Sequence, residues 1–384
     1  MGQTRPGPTD FEAAGLYDPA AADAPQRLAF LEYLVGLGAT VEDLLAAPPG
    51  DLPLVASTIA LWGSRHRLTI DEVAVRAGVD RQLISKLWRA AGFPDPSLNT
   101  ELRVLSERDV ELFRLAPAAI AFLGEDLTVQ LLRVLGAAAA RVAEASVSAF
   151  IVNIGPKAIE QDPSGLALAR ANTESLAFLD DLARAFDTLL RHHIELAFRP
   201  NEAMGAFSEI DLVNRSVGFA DLLDSTSWTQ RLDLRELSLA LTQFDAAVSE
   251  LVVGHGGRVV KLMGDEVMFI SHDPITAVET ALALIESFSS HQVLPPLRAG
   301  VASGEVLARD GDYSGVVVNL AARAVKIAPR STLLVDANTR DALRDSSDFT
   351  CGAGKAHLLK GFAEPVSLFK ITHSRPAAEA HSNG

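Results

Sequence analysis

The feature that most limits how this chain can fold is a change of hydrophobic period at Arg215. From Pro25 to Phe198, apolar residues recur at spacings of three and four among Ala, Leu and Arg, the pattern of amphipathic helices. Beyond Arg215, short β-branched runs alternate with helical stretches, so the second half needs a sheet. At 384 residues the chain is also long for one core, and two domains are the default expectation.

Taken in order, residues 1–24 are rich in Pro, Gly, Ala and Asp and read as a disordered N-terminus. Residues 25–198 read as an all-helical domain, with helices at 25–37, 40–45, 52–62, 70–77, 81–90, 107–123, 127–152 and 166–198. Residues 199–214 mix Pro, Gly and polar side chains and read as a linker. An α+β domain is expected over 215–372, and 373–384 reads as a disordered tail. Within that domain the pattern predicts a strand at 217–219, a helix at 234–253, a hairpin at 258–270 and a helix at 274–290. Two strands around Ser303-Gly304 follow within 297–307, then a helix at 316–328 and strands at 331–335, 355–359 and 366–372. The order βαββαβ is that of a ferredoxin-like domain with helices on one sheet face.

Net charge is −15, with acids spread over both halves, so no overall basic field exists to hold nucleic acid or an anionic membrane. The single cysteine, Cys351, excludes an internal disulfide framework and fits a reducing compartment. The first residues lack the apolar core of a signal peptide. The most apolar tract, 134–154, contains Arg141 and Glu144, which argues against a transmembrane segment. A soluble, cytoplasmic protein is the expectation.

Inside the helical half, residues 68–96 read LTIDEVAVRAGVDRQLISKLWRAAGFPDP and resemble a helix-turn-helix, with Arg81, Gln82 and Ser85 opening the second helix. Asp71, Glu72, Asp80 and Asp95 offset most of the arginines there, so a packing motif is favoured over DNA binding. His192-His193, near the end of the last helix, read as solvated residues, with proton sensing as the alternative.

The chemistry concentrates in the hairpin RVVKLMGDEVMFI, which holds Asp265 at its tip with Lys261 close by. A carboxylate fixed at a tight turn suits a metal, but hard divalent cations need further oxygen donors. Asp221, in SVGFADLLDST, follows a strand-like run and is the candidate second donor. The LLDSTS segment behind it offers backbone amides suited to polyphosphate, although Ser and Thr before a helix are usually plain caps.

Phe219-Ala-Asp221-Leu222 together with Gly264-Asp265 resembles the catalytic domain of the class III nucleotidyl cyclases, over roughly residues 215–372. The resemblance implies that Asp221, Asp265 and the Leu222 carbonyl hold two Mg²⁺ or Mn²⁺ ions. It implies that Lys261 and Asp312 select the purine. Adenine presents an acceptor at N1 and a donor at its exocyclic amine, complementary to an ammonium and a carboxylate, so ATP is the favoured substrate. Asn319 and Arg323, four apart on one helix face in GVVVNLAAR, match the residues that orient the ribose and meet charge on the α-phosphate. Arg298 in LRAGVASGEV matches an arginine near the triphosphate, and Lys360 in LLKGF a phosphate-binding lysine.

Taken singly, each of these residues is an ordinary turn acid, helix-edge polar group or strand-end charge; the set carries the resemblance. Class III sites form between two catalytic domains, so a chain with one such domain and both residue sets implies a head-to-tail homodimer. The helical half is similar to the N-terminal regulatory domains of some soluble bacterial members, with a proton or a lipid-like small molecule as candidate effector. The rival readings are a guanylyl cyclase, a DNA-binding regulator using 68–96, and a catalytically inactive regulatory domain.

Overall fold

A computed structural model of the chain describes residues 5–48, 50–63, 67–98, 103–198, 212–291 and 293–374. Contacts divide it into two units, Met1–Arg199 and Pro200–Gly384.

The regular elements described in the first unit are helices, and some of them begin where a short polar side chain satisfies free N–H groups. Thr40, Thr69 and Asp80 accept from backbone amides at the starts of Val41–Leu45, Ile70–Ala77 and Arg81–Ala90. Gly63 and Gly78 end two helices in the left-handed conformation, which glycine adopts without a Cβ clash. One core gathers Phe30, Leu31, Leu34, Leu52, Val55 and Ile59, and another Leu68, Ile70, Val73, Ile84, Leu87 and Phe113.

Three expectations change here. Residues 1–24 are not featureless: Pro8–Ala13 is a short helix, and Phe11 is fully buried in the core around Phe30. A single aromatic side chain anchors a segment whose composition suggested none. The expected helix 107–123 is two, Glu107–Arg114 and Ala116–Leu123, because Pro117 fits only a first turn. The expected helix 166–198 also divides, at Phe178, whose N–H donates to the Ser175 carbonyl three residues back and tightens the chain locally.

The cations of the helix-turn-helix-like segment are paired within the helical unit. Arg81 pairs with Asp71 at 3.3 Å, Lys86 with Glu125, and Arg89 with Asp95, so the cations of the second helix face protein carboxylates. Ser85 is buried and donates to Asp95. Hydrogen bonds from Ser85 and Ser97, with Arg89 beside them, hold the Asp95 carboxyl far below its ordinary range. Gly136 on the Glu125–Asn153 helix lies against the Ala91 backbone so closely that a Cβ would meet its carbonyl oxygen at 2.3 Å.

Among the described residues, 125–161 and Leu234–Gly254 are long and apolar enough to cross a membrane by length and composition. The second of these buries Ala240, Phe244, Val248 and Val252 in the protein core.

The second unit is built on one sheet. Its strands are β1 (Leu212–Leu222), β2 (Arg258–Met263), β3 (Glu266–Ser271), β4 (Leu297–Arg309), β5 (Asp312–Ser314), β6 (Leu333–Val335), β7 (Phe349–Cys351), β8 (Lys355–His357) and β9 (Val366–His373). The order is β2-β3-β1-β4-β6-β9-β7, with β5 on β4 and β8 on β9. The first four strands and the helices Leu234–Gly254 and Pro274–Ser289 form the βαββαβ motif. These helices cover one face through Phe244, Val248, Leu284 and Phe288 over Ala220, Val267, Phe269 and Leu297. The Val316–Ile327 helix covers the other face, where Ala321 and Val325 meet Val217, Phe219, Met268 and Ala302. Strand β1 is buried on both faces from Ser216 to Leu222, which is why cover on one face, as expected from the pattern, does not suffice.

The sheet also revises several boundaries. β1 starts at Leu212, so the last three residues of the expected linker 199–214 are strand; 199–211 lie outside the described residues. Ser303-Gly304 does not split β4, whose pairing with β1 runs unbroken from Leu297 to Leu307. His373 closes β9, and residues 375–384 of the expected tail lie outside the described residues.

Candidate active site

Asp221 lies near the end of β1, between Glu266 of β3 and Arg298 of β4 as its direct register partners. Residues opposite one another across antiparallel strands share a face, so one carboxylate is flanked by a second acid and a guanidinium. It is 3% exposed. Arg298 donates to Asp221 Oδ2 through Nη2 at 2.7 Å and Nε at 3.1 Å, and its Nη1 donates to the Lys326 carbonyl at 2.8 Å. The Lys326 ammonium lies 3.2 Å from the same Asp221 oxygen and 2.6 Å from Glu266 Oε2. Burial pulls its pKa down, but hydrogen bonds and charge from Glu266 and Asp221 outweigh that and leave it raised.

Asp265 sits in the turn between β2 and β3, directly after Gly264, whose φ of +69° suits a reversal that a Cβ would strain. The Leu222 N–H donates to the Asp265 carbonyl at 3.0 Å, tying the hairpin tip to the end of β1. The Asp265 side chain has no hydrogen bond or ion pair among the described residues. One carboxylate is thus carried at the end of β1 and the other in the turn tied to it, the second unpaired among the described residues, and both are hard oxygen donors of the kind Mg²⁺ and Mn²⁺ prefer. No group of three metal-ligating acid, His or Cys side chains occurs among the described residues. The donor set fits an ion that takes its remaining oxygens from water, a backbone carbonyl such as that of Leu222, and substrate.

On β2 a register shift between Val259 and Lys261 re-aims the lysine. Its ammonium meets Asp312 Oδ2 of β5 at 2.6 Å. Partial burial pushes the Asp312 carboxyl up, while Lys261 and the Tyr313 N–H pull it down further, leaving it below its ordinary range. Asn319 and Arg323 are exposed on the Val316–Ile327 helix. Arg323 Nε donates to the Lys360 carbonyl at 3.3 Å, so Lys360 is its neighbour.

The structure therefore brings together Asp221 with Arg298, Lys261 with Asp312, and Arg323 with Lys360, and ties Leu222 to Asp265. Asn319 has no side-chain partner among the described residues. Behind Leu222 the LLDSTS segment forms only the five-residue helix Ser225–Thr229, and the long helix starts at Leu234 under an Asp233 cap. Two residues were missed in the sequence. Glu266 directly follows Asp265, and Lys326 lies one helical turn beyond Arg323, and those adjacencies were the available signals.

A βαββαβ sheet extended past β4, with acids at the end of β1 and in the β2–β3 turn, has the architecture of a class III nucleotidyl cyclase catalytic domain. No protein-family model matches the chain. It is 35% identical over 309 residues to an adenylate cyclase of Streptomyces coelicolor, covering 77% of this chain and 79% of that one. An uncharacterized protein of Mycobacterium tuberculosis is 35% identical over 371 residues, 96% of this chain and 94% of the relative. A pH-sensitive adenylate cyclase of the same species is 27% identical over 369 residues, covering 94% and 90%. Among solved structures, the adenylyl cyclase CyaB from P. aeruginosa covers 44% of this chain and 98% of its own at 23% identity, with a TM-score of 0.39. The chain belongs to the adenylate cyclase family.

Proposed function

We propose that the chain converts ATP to 3′,5′-cyclic AMP and pyrophosphate at sites shared between two copies. The observation that carries this reading is the backbone hydrogen bond from Leu222 to Asp265, which ties the β2–β3 turn to the end of β1 that holds the buried Asp221, with the Asp265 side chain unpaired among the described residues. Mg²⁺ or Mn²⁺, two per site, held by Asp221, Asp265 and the Leu222 carbonyl, would acidify the ribose 3′-hydroxyl and neutralise charge on the phosphates.

The remaining steps belong to side chains. Lys261 donates to adenine N1 and Asp312 accepts from the exocyclic amine; guanine would set each against a group of its own polarity. Asn319 orients the ribose while the 3′-oxygen attacks the α-phosphorus. The bond from that phosphorus to the bridging oxygen breaks, pyrophosphate leaves, and the hydroxyl proton passes to solvent. Arg323 meets the charge that builds on the α-phosphate, and Arg298 and Lys360 bind the leaving phosphates.

The helical unit is assigned a regulatory role in a cytoplasmic enzyme, with a proton or a lipid-like molecule as effector. A relative named for pH sensitivity over most of the same length supports it. Removing residues 1–198 should change activity or its pH profile, and identical behaviour of truncated and full-length chains would remove the regulatory role. The test of the function itself is to incubate purified chain with Mn²⁺ and either ATP or GTP and identify the product. Cyclic AMP from ATP is expected; cyclic GMP as the main product, or no cyclised product, would overturn it.

A further inference from the structure

Asp221 carries one cation more than a buried carboxylate needs. Arg298 already reaches it with two N–H groups, and the guanidinium is locked in place by its third bond, to the Lys326 carbonyl. The Lys326 ammonium comes to the same oxygen as a second positive charge. It differs from Arg298 in its freedom, because its side chain is 46% exposed against 21% for the arginine. It also has an alternative anchor. Glu266, the register partner of Asp221 on the same sheet face, holds the ammonium at 2.6 Å, closer than Asp221 does.

We propose that Lys326 is an internal counter-ion for Asp221, and that Glu266 is the position to which its ammonium withdraws when a divalent cation binds. The proposal rests on the reading of Asp221 as a metal ligand. A lysine ammonium and a divalent ion compete for one carboxylate oxygen, so each lowers the occupancy of the other. Lys326 therefore sets how much metal the chain needs, without touching nucleotide.

The test is a titration of the full-length chain with Mn²⁺ in the absence of nucleotide, read by the electron paramagnetic resonance of free Mn²⁺. Lys326→Met is expected to bind Mn²⁺ about tenfold more tightly than the unsubstituted chain, equivalent to about 1.4 kcal/mol. Lys326→Arg, which restores the charge, should return the affinity to that of the starting protein. Lys326→Gln should match Lys326→Met and provides a second neutral variant should the first not fold, with circular dichroism as the check. A merely structural lysine would alter melting temperature but not this charge-dependent order. If the starting protein binds Mn²⁺ and folded neutral variants bind it no more tightly, the counter-ion role is overturned while the metal site stands. If neither the starting protein nor the folded neutral variants bind Mn²⁺, or if the binding seen is unchanged by Asp221→Asn, the metal reading fails and this inference with it.

Discussion

Lys261 and Asp312 neutralise each other at 2.6 Å, so in the proposed purine-selecting role a base that inserts between them would exchange one charge-assisted bond for two. Losing one of these groups leaves the other facing the base unpaired. Lys261→Ala should therefore lower kcat/KM for ATP by roughly 10²-fold, about 2–3 kcal/mol, and lower it less for GTP. Parallel assays with both nucleotides check the ratio. Within the helical unit, Asp95 offers a pH test. Its folded pKa lies below the unfolded value, so its contribution is full above about pH 3.9 and is lost as pH falls toward the folded pKa. Asp95→Asn should lower the melting temperature at neutral pH, with the gap narrowing under acid conditions. Melting curves of both proteins across pH measure this, and a constant gap would mean that the charge contributes nothing.

At the scale of elements, the Val316–Ile327 helix is seated by Gly300 on β4. A Cβ there would lie 2.5 Å from the Val325 nitrogen and 2.7 Å from the Ala321 carbonyl oxygen, both backbone atoms that cannot rotate away. Gly300→Ala should lift the helix, cost about 1–3 kcal/mol, and displace Asn319 and Arg323 together. The expected result is a fall in activity that persists at temperatures where the variant is fully folded, read by kcat alongside thermal unfolding. Much of this architecture is legible in the sequence, because the helical period and the apolar runs around Gly264-Asp265 are local signals. What escapes is set by distant contacts. Phe11 looks like one apolar residue in a polar segment until the core around Phe30 closes over it. β7 is three residues long and exists through its pairing with β9. Lys326 reads as a cation complementing the helix C-terminus, and only the sheet below reveals the two acids it reaches.

For the whole molecule, the deciding question is how many chains a site needs. Within one chain the described residues form separate groups: Asp221 with Arg298, Lys326 and Glu266, Lys261 with Asp312, and Arg323 with Lys360. No hydrogen bond or ion pair joins Asn319 or Arg323 to Asp221 or Asp265 among these residues. The proposed two-fold assembly would supply that juxtaposition twice, since whatever one copy gives its partner it receives in return. Asp221→Ala and Asn319→Ala chains should each be inactive alone. In a mixed dimer one site receives both defects and the other neither, because the Asp221→Ala chain still presents Asn319 to its partner's intact acids. With random assembly half the dimers are mixed and each has one working site, so co-expression should restore about a quarter of the starting activity. Size-exclusion chromatography and a cyclic AMP assay on the co-purified chains measure both quantities. A dimer of normal size with no restored activity would place each site within a single chain and exclude sharing between copies.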